Sequence, residues 1–246
     1  MSASSMHVQR PHGATAKAVV VGACGGIGRA TAALLSRSGY DLALLDIRGS
    51  ELESLRSELG GEATISESCA ISDSGQVRVA FDRIGEKWHC VDALVNAAGV
   101  FSYATIQQLG EDEWRRTLDV NLTGLFLVSK AAIPLLQRAP TPRIVNVLSI
   151  AATSAFASES AYCASKSGAL ALSRVMAAEL RPLGICVSGI LPGAVDTPLW
   201  NNSEAPFDRQ AMLGADDIAR AILFILQQPR LVTIDEMTIS SSAGTL

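Results

Sequence analysis

The sequence lacks every pattern that would hold a structural metal ion or a disulfide framework. The five cysteines lie far apart with no C-x-x-C pair, and the three histidines show no ligand spacing. Zinc sites need closely spaced ligands, and disulfide scaffolds pair an even number of cysteines. The odd, scattered set predicts reduced thiols, an intracellular protein and no metal site.

Long basic runs, long apolar runs and a secretory leader are missing as well. The formal net charge is −4, so neither nucleic acid nor an anionic membrane surface is expected as a partner. No apolar run approaches the length of a membrane span. Residues 1–16 are rich in Ser, Ala and His and lack the apolar core of a signal peptide. We therefore expect a flexible tail over residues 1–16, no membrane association and a cytoplasmic location.

The chain does contain a regular alternation of short apolar runs and longer amphipathic stretches. The runs predict strands at 18–21, 42–45, 63–68, 93–95, 144–148, 185–191 and 231–239. The stretches predict helices at 27–38, 49–59, 74–87, 111–138, 158–180 and 215–228, with Asp112 and Ser158 as N-caps. Apolar runs without strict alternation are typical of parallel strands covered on both faces. The pattern predicts one α/β domain over residues 17–246, with a Rossmann-type doubly wound parallel sheet of about seven strands.

A glycine-rich segment follows the first predicted strand and leads straight into a predicted helix. It reads Gly22-Ala23-Cys24-Gly25-Gly26-Ile27-Gly28. Glycines at such a position allow a tight turn and let backbone N–H groups approach a pyrophosphate at the helix N-terminus. A flexible turn is the plain alternative. The acidic residue that ends the next strand favours dinucleotide binding.

That acidic residue is Asp46. A carboxylate there can accept hydrogen bonds from an adenosine ribose and would repel a 2′-phosphate, although it could also simply form a turn. Arg48 lies close enough in sequence to pair with a 2′-phosphate, but the glycine segment contains no basic residue. The sequence therefore predicts NAD as the cofactor, with NADP as the alternative.

Tyr162 and Lys166 are four residues apart in a predicted helix, which places them on one face. A positive charge beside a phenol favours the phenolate, so such a tyrosine can act as a general acid or base. Taken alone, the pair could equally be a buried tyrosine near a surface lysine. Ser149, just after the fifth predicted strand, adds a hydroxyl at the sheet edge where ligands bind in this fold.

Together these segments resemble the classical short-chain dehydrogenase/reductase family. The resemblance covers nearly all of residues 17–239. It rests on motifs in a fixed order, namely the glycines at Gly22, Gly26 and Gly28, the segment Asn96-Ala97-Ala98-Gly99, Asn121, Ser149, Tyr162-x-x-x-Lys166 and Pro192-Gly193. It implies a catalytic tetrad of Asn121, Ser149, Tyr162 and Lys166. In that tetrad Tyr162 exchanges a proton with the substrate oxygen, and Ser149 holds the same oxygen. Lys166 lowers the tyrosine pKa and contacts the nicotinamide ribose, while Asn121 retains a water.

The resemblance also implies a set of cofactor contacts along the sheet edge. They are Gly22, Gly26, Ile27, Gly28, Asp46, Ile47, Ala70, Ile71, Asn96, Ala98, Gly99, Tyr162, Lys166, Pro192, Gly193, Val195 and Thr197. Ala70 stands where the family commonly has an aspartate against the adenine. Only the backbone around Ala70 and Ile71 is therefore left for that contact.

The implied activity is an NAD(H)-dependent interconversion of a secondary alcohol and a ketone. The same tetrad would serve an NADPH-dependent 3-oxoacyl-type ketoreductase, and a non-catalytic dinucleotide-sensing scaffold is an alternative of another class. Phe101, Tyr103, Trp200 and Phe207 suggest a partly apolar substrate pocket, although ordinary packing explains them as well. A homotetramer or homodimer is also implied, with helices 111–138 and 158–180 at the interface.

Overall fold

A parallel sheet of seven strands, in the order β3-β2-β1-β4-β5-β6-β9, forms the centre of the computed structural model, which describes residues 15–60, 64–201 and 208–242. Its strands are β1 (Ala16–Val21), β2 (Tyr40–Asp46), β3 (Ile65–Ser68), β4 (Ala93–Asn96), β5 (Arg143–Val147), β6 (Cys186–Pro192) and β9 (Glu236–Ile239). Two short strands, β7 (Val195–Asp196) and β8 (Leu213–Gly214), pair with each other outside this sheet. The helices are α1 (Gly26–Arg37), α2 (Gly49–Glu58), α3 (Ser74–Lys87), α4 (Glu111–Leu118), α5 (Leu125–Leu136), α6 (Ser160–Leu180) and α7 (Ala215–Leu226).

The direction of winding reverses between β1 and β4. The chain runs outward from β1 through β2 to β3, and then returns to pair β4 with the other side of β1. Loops that leave neighbouring strands at such a reversal turn to opposite faces and open a crevice at the carboxyl ends of the strands. The fold therefore places a ligand crevice above β1 and β4.

Both faces of the sheet are buried, which explains the apolar runs without alternation. Val19 and Val21 of β1 pack into a cluster with α3, α5 and α6, whereas Val20 packs on the opposite face with α1, α2 and α7. Because each face needs apolar side chains, successive residues of a strand are all apolar. The predicted doubly wound sheet is confirmed.

The last predicted strand is wrong over its first half. The prediction covered residues 231–239, but β9 begins only at Glu236. The buried Arg143 side chain explains the difference, because its Nη2 donates to the carbonyls of Gln228, Pro229 and Val232 at 2.8 to 3.0 Å. Those carbonyls curve around one guanidinium, so this segment cannot extend along the sheet.

Two predicted segments extend into residues that the structure does not describe. Residues 1–14 of the predicted tail and residue 63 of the third predicted strand lie outside the described residues. Ala16, which the prediction assigned to the tail, is the first residue of β1 and pairs with Tyr40.

The long predicted helix 111–138 contains an irregular turn. A π-helical segment, Asp119–Gly124, separates α4 from α5 and carries Asn121. Single π turns inside α-helices are frequent at functional sites. The two predicted N-caps are wrong. Gly110 caps α4, with Asp112 inside the first turn, and Glu159 caps α6, because Ser158 has a left-handed φ of 65°.

One helical stretch of the described chain is long and apolar enough to cross a membrane, contrary to the expectation from sequence. It is Glu111–Leu136, of 26 residues, and 39% of its most apolar window is buried. The same stretch packs against α3 and α6 and lies in the core cluster on that face of the sheet. Core helices of this kind pass the same length and composition test.

Candidate active site

A cavity of about 580 Å³ runs along the carboxyl ends of the strands, a size typical of cofactor and substrate sites. Most of the predicted site residues line it. They are Gly22, Gly26, Ile27, Asp46, Ile47, Ala70, Ile71, Ala98, Gly99, Ser149, Tyr162, Lys166, Pro192, Gly193, Val195 and Thr197. The lining does not include Gly28, Asn96 or Asn121, which lie next to lining residues in sequence or contact. Most of the predicted site residues therefore line one continuous cavity.

The glycine loop after β1 fits closely against two other loops. Gly22 has φ +75°, and a Cβ there would lie 2.5 Å from Ala98 Cα. A Cβ on Gly26 would lie 2.5 Å from Thr197 Cγ2. The α1 helix that follows has no side-chain cap at Gly25 and no acidic residue in its first turn. Its N–H groups are thus left for an anion, and a pyrophosphate group fits this loop.

Asp46 is the last residue of β2, and its buried carboxylate accepts hydrogen bonds from Cys24 and Arg48. Its oxygens accept hydrogen bonds from the Cys24 and Arg48 backbone N–H groups, each at 3.0 Å. The Arg48 guanidinium adds bonds from Nε at 3.0 Å and from Nη2 at 3.3 Å. Burial opposes ionisation, but these hydrogen bonds outweigh it and hold the pKa of Asp46 below its ordinary value. The residue is a carboxylate at neutral pH.

Asn96 acts from behind the cavity wall. Its Nδ2 donates to Asn146 Oδ1 at 2.8 Å and to Ser129 Oγ at 3.2 Å, and Asn146 in turn donates to Ser173 Oγ at 2.9 Å. Asn96 and Asn146 are partners in the β4–β5 register. This buried network ties the two strands to α5 and α6, and the apolar-run analysis had no means of finding Asn146, Ser129 or Ser173.

Ser149, Tyr162 and Lys166 meet at the end of β5. The Ser149 hydroxyl lies close enough to the Tyr162 phenol to lower the pKa of Tyr162. The Lys166 ammonium donates to the Val147 carbonyl at 3.0 Å and lies 5.7 Å from the Tyr162 ring centre. The three polar groups therefore converge on one point of the cavity, as the helix spacing of Tyr162 and Lys166 predicted.

The pKa values of this group are governed by burial. Burial raises the pKa of Tyr162 to about 12, although the neighbouring Ser149 hydroxyl lowers it in part. Burial also lowers the pKa of Lys166 to about 8. The expected lowering of the phenol pKa by Lys166 is absent here, because both groups lose water and the lysine itself becomes a weaker base. The phenol is accordingly protonated at neutral pH.

Asn121 lies in the π turn and fixes the loop that follows β4. Its Oδ1 accepts from the Val100 backbone N–H at 2.8 Å, and its Nδ2 donates to the Val100 carbonyl at 2.9 Å and to Ser165 Oγ at 3.0 Å. Gly99 stands between this amide and Lys166, since a Cβ there would lie 3.4 Å from Asn121 Oδ1 and 3.7 Å from Lys166 Nζ. The Asn121 side chain thus contacts the Val100 backbone and the hydroxyl of Ser165, the residue before Lys166.

An aromatic wall covers the outer side of Tyr162. The Phe101 ring packs edge-on against Tyr162, with ring centres 5.0 Å apart, and against Trp200, with centres 4.7 Å apart. Trp200 is anchored by a hydrogen bond from Nε1 to the Val195 carbonyl at 2.7 Å. Phe207 lies outside the described residues. Of the aromatic residues expected at a substrate pocket, Trp200 lines the cavity, whereas Phe101 packs behind it between Tyr103 and Tyr162.

Several lining residues were missed. Arg116, Val120, Cys69, Ser72, Leu148 and Leu199 also line the cavity. Arg116 and Val120 are four residues apart and share one helix face, but residues five and one before Asn121 do not share its face, so no sequence signal pointed to them. The remaining residues belong to no sequence motif, so nothing in the sequence assigned them to the site.

A family model described as short chain dehydrogenase matches residues 16–207. Among curated proteins, a D-threitol dehydrogenase of Mycolicibacterium smegmatis is 38% identical over 76% of this chain and 72% of that protein. A sepiapterin reductase of Chlorobaculum tepidum is 30% identical over 93% of this chain and 97% of that protein. A trans-4-hydroxycyclohexanecarboxylate dehydrogenase of Sinomonas cyclohexanicum is 31% identical over 85% and 84%.

Among solved structures, the chain is similar to an alcohol dehydrogenase from the archaeon Thermococcus sibiricus, complexed with 5-hydroxy-NADP. The TM-score is 0.85 and the sequence identity 28%, and the likeness covers 94% of this chain and 98% of that one. The fold thus agrees over nearly the whole length of both chains.

Proposed function

The chain belongs to the short-chain dehydrogenase family, and on that premise we propose that it interconverts a secondary alcohol and a ketone with a nicotinamide dinucleotide. One observation carries the proposal. Ser149, Tyr162 and Lys166 line the same cavity as the uncapped glycine loop. When bound, the nicotinamide ring supplies or accepts the hydride.

The residues of the chain then handle the proton. In the reducing direction Tyr162 donates its phenolic proton to the carbonyl oxygen as hydride adds to the carbonyl carbon. Ser149 donates a hydrogen bond to that oxygen and holds it beside the phenol. Lys166 stabilises the phenolate left behind, and its bond to the Val147 carbonyl keeps the ammonium in reach. Oxidation runs the same steps in reverse.

The burial of these groups favours a proton-donating tyrosine. A phenol with a pKa of about 12 is protonated at neutral pH, as reduction of a carbonyl requires. Oxidation needs the phenolate, and raising the pH supplies it. The retained role of Asn121 is indirect, through its bonds to Val100 and Ser165. As the family resemblance implies, we also propose that Asn121 holds a water that relays protons to Lys166.

We assign NAD as the cofactor because Asp46 is an ionised, buried carboxylate at the end of β2. A 2′-phosphate placed there would meet that charge. NADP is the second candidate, and one observation favours it. Arg48 is partly exposed and could turn from Asp46 to a phosphate, and the similar alcohol dehydrogenase of T. sibiricus was complexed with an NADP analogue.

The substrate is proposed as a small alcohol or ketone. Two of the relatives are named for hydroxylated substrates, a polyol and a hydroxylated cyclohexane carboxylate. The test is a panel of simple secondary alcohols, acyclic polyols and hydroxylated ring acids, assayed with NAD and with NADP at 340 nm. We expect turnover that is faster with NAD. Faster turnover with NADP would reverse the cofactor assignment. Tight dinucleotide binding without turnover of any member would favour the sensing scaffold.

We also propose, from the family resemblance, that the chain forms a homodimer or a homotetramer. Phe126 of α5 and Val175 of α6 are apolar and exposed, at 43% and 51%, on the two helices expected at the interface. Such residues support a homodimer or homotetramer, which light scattering on the purified protein would test. A cytoplasmic location remains the prediction.

A further inference from the structure

Glu159 is a buried carboxyl that the proton chemistry above does not use. It is 6% exposed and caps α6 immediately before the catalytic turn. Its carboxyl forms no hydrogen bond and no ion pair with any part of the chain that the structure describes. Buried polar groups are nearly always paired, and a buried carboxyl without a partner is costly to keep. The Glu159 oxygens are not among the fully enclosed unpaired atoms, so solvent or a ligand can reach them.

Glu159 lies at the start of α6, on the side of Tyr162 that faces away from Lys166. Glu159, Tyr162 and Lys166 are spaced three and four residues apart, so they share one helix face. Lys166 lines the cofactor cavity and Tyr162 is where substrate oxygen is expected. Glu159 lies one turn further along, in the direction away from Lys166. It lies next to the cavity lining without being part of it, so a substituent that reaches past the reacting oxygen of a substrate could contact it.

The backbone around Glu159 is held in an unusual conformation. Ser158, just before it, has a φ of 65°, the sole left-handed φ outside glycine in residues 15–60, 64–201 and 208–242. The Ser158 carbonyl accepts a hydrogen bond from the Ala104 N–H at 2.7 Å, and Ala104 forms a β-bridge with Glu159. Ala104 continues the loop that carries Phe101. The strained turn therefore joins the loop that carries Phe101 to the backbone of Glu159, and such strain is frequent at binding sites.

The pKa of Glu159 is consistent with a carboxyl that lacks a hydrogen-bond donor. Burial raises the pKa of Glu159 from its ordinary 4.5 to about 7, and no cation opposes the rise. The ionised carboxyl in turn raises the pKa of Tyr162, which places the two groups in electrostatic range. A hydrogen-bond donor on a ligand would satisfy the carboxyl and stabilise its ionised form.

We propose that Glu159 is a specificity-determining residue that binds a hydrogen-bond donor, a hydroxyl or an ammonium, carried by the substrate close to its reacting carbon. The inference rests on the proposed function and narrows its substrate class to vicinal diols and amino alcohols with the matching ketones. Phe101 and Trp200 contribute apolar surface at this end of the site, so the carboxyl supplies the polar contact there.

Matched substrates test the proposal. 2-Butanol, 2,3-butanediol and 3-amino-2-butanol share a carbon skeleton and differ only in the neighbouring group. Their kcat/KM values would be compared for the wild type, Glu159→Gln and Glu159→Leu. The control is Glu179→Gln, which changes an exposed glutamate on the same helix. The dissociation constants of the three compounds would be measured by calorimetry with saturating reduced dinucleotide.

We expect Glu159→Leu to lower kcat/KM for the diol or the amino alcohol by about 10- to 100-fold while 2-butanol changes by less than about threefold. Glu159→Gln should retain part of the diol activity, since an amide still accepts a hydrogen bond, but should not retain the amino alcohol activity. The better of the two compounds in the wild type identifies the hydroxyl or the ammonium as the donor. The control should match the wild type.

Equal losses on all three substrates, or no loss on any, would overturn the role of Glu159. Failure of the proposed function has a different signature, which is a wild type that turns over none of the three compounds. In that case the binding constants decide the role of Glu159. Weaker binding of the diol or amino alcohol by Glu159→Leu, with 2-butanol unchanged, supports it, and equal binding by both proteins refutes it.

Discussion

The Arg48 guanidinium lies on the Asp46 carboxylate, with Nε 3.0 Å from one oxygen and Nη2 3.3 Å from the other. The pair couples the two residues to which we assign the choice between NAD and NADP, because the carboxylate neutralises the charge of the arginine. Loss of the carboxylate charge should therefore also release the arginine.

The Asp46→Asn variant tests this coupling. We expect NADH to bind at least about tenfold more weakly and NADPH more tightly, since one charged hydrogen bond is worth about 1.5–3 kcal/mol. Fluorescence titration of both reduced dinucleotides measures the change. The double variant with Arg48→Ala should lose the gain for NADPH. Equal changes for the two dinucleotides would remove Asp46 from cofactor selection.

Tyr162→Phe should lower kcat by at least about 100-fold, the usual contribution of a general acid or base. Binding of NADH should stay within about threefold of wild type, because the ring still packs against Phe101. Tyr103→Phe is the matched control, since it removes a phenol from the neighbouring loop without touching Ser149. A Tyr162→Phe enzyme with near wild-type turnover would assign the proton to another group.

Glu159 should make folding stability depend on pH. Its pKa is raised from 4.5 to about 7 on folding, so between these values the folded chain holds a proton that the unfolded chain has lost. Stability from this group is therefore full below pH 4.5 and falls as the pH rises to 7, by at most about 1 kcal/mol per pH unit. Urea unfolding from pH 4.5 to 8 measures it. Glu159→Gln should flatten that part of the curve, and an unchanged slope would show that the carboxyl is ionised when folded.

Asn146→Leu should destabilise the fold without reaching the cavity. Asn146 is fully buried, and its loss leaves Asn96 and Ser173 short of partners inside the core. The expected cost is about 2–4 kcal/mol in the free energy of unfolding. Urea denaturation measures it, with Gln107→Ala as an exposed control that should change stability by less than about 0.5 kcal/mol. A cost as small as that of the control would mean that the network contributes little.

Periodicity and motif order were enough to predict the sheet and most of the cavity lining. Apolar runs identify parallel strands because both faces of this sheet are buried, and the loops that follow those strands must share one edge. Gly22 and Tyr162 could therefore be assigned to one site while 140 positions apart in sequence. Both line the same cavity.

Contacts between distant segments could not be predicted. The run at 231–235 has the composition of a strand, but the Arg143 guanidinium binds the carbonyl of Gln228 before the run and that of Val232 within it. Ser158 has the composition of an N-cap, but its bond to Ala104 imposes a left-handed φ. The pKa of Tyr162 was expected to fall because sequence gives the spacing of Lys166 and says nothing of the burial that both groups share. Each miss arises where tertiary structure overrides a local preference.

The close approach of Gly26 to Thr197 has a consequence for anyone who alters this enzyme. The first loop belongs to the pyrophosphate end of the cavity, and Thr197 belongs to the loop that leads to the aromatic wall. With no room between Gly26 and the Thr197 methyl, the two loops can shift only together. Substitutions made after β6 to change substrate preference will thus carry an unintended loss of dinucleotide affinity, and libraries that vary both loops at once will recover solutions that single-site scans miss.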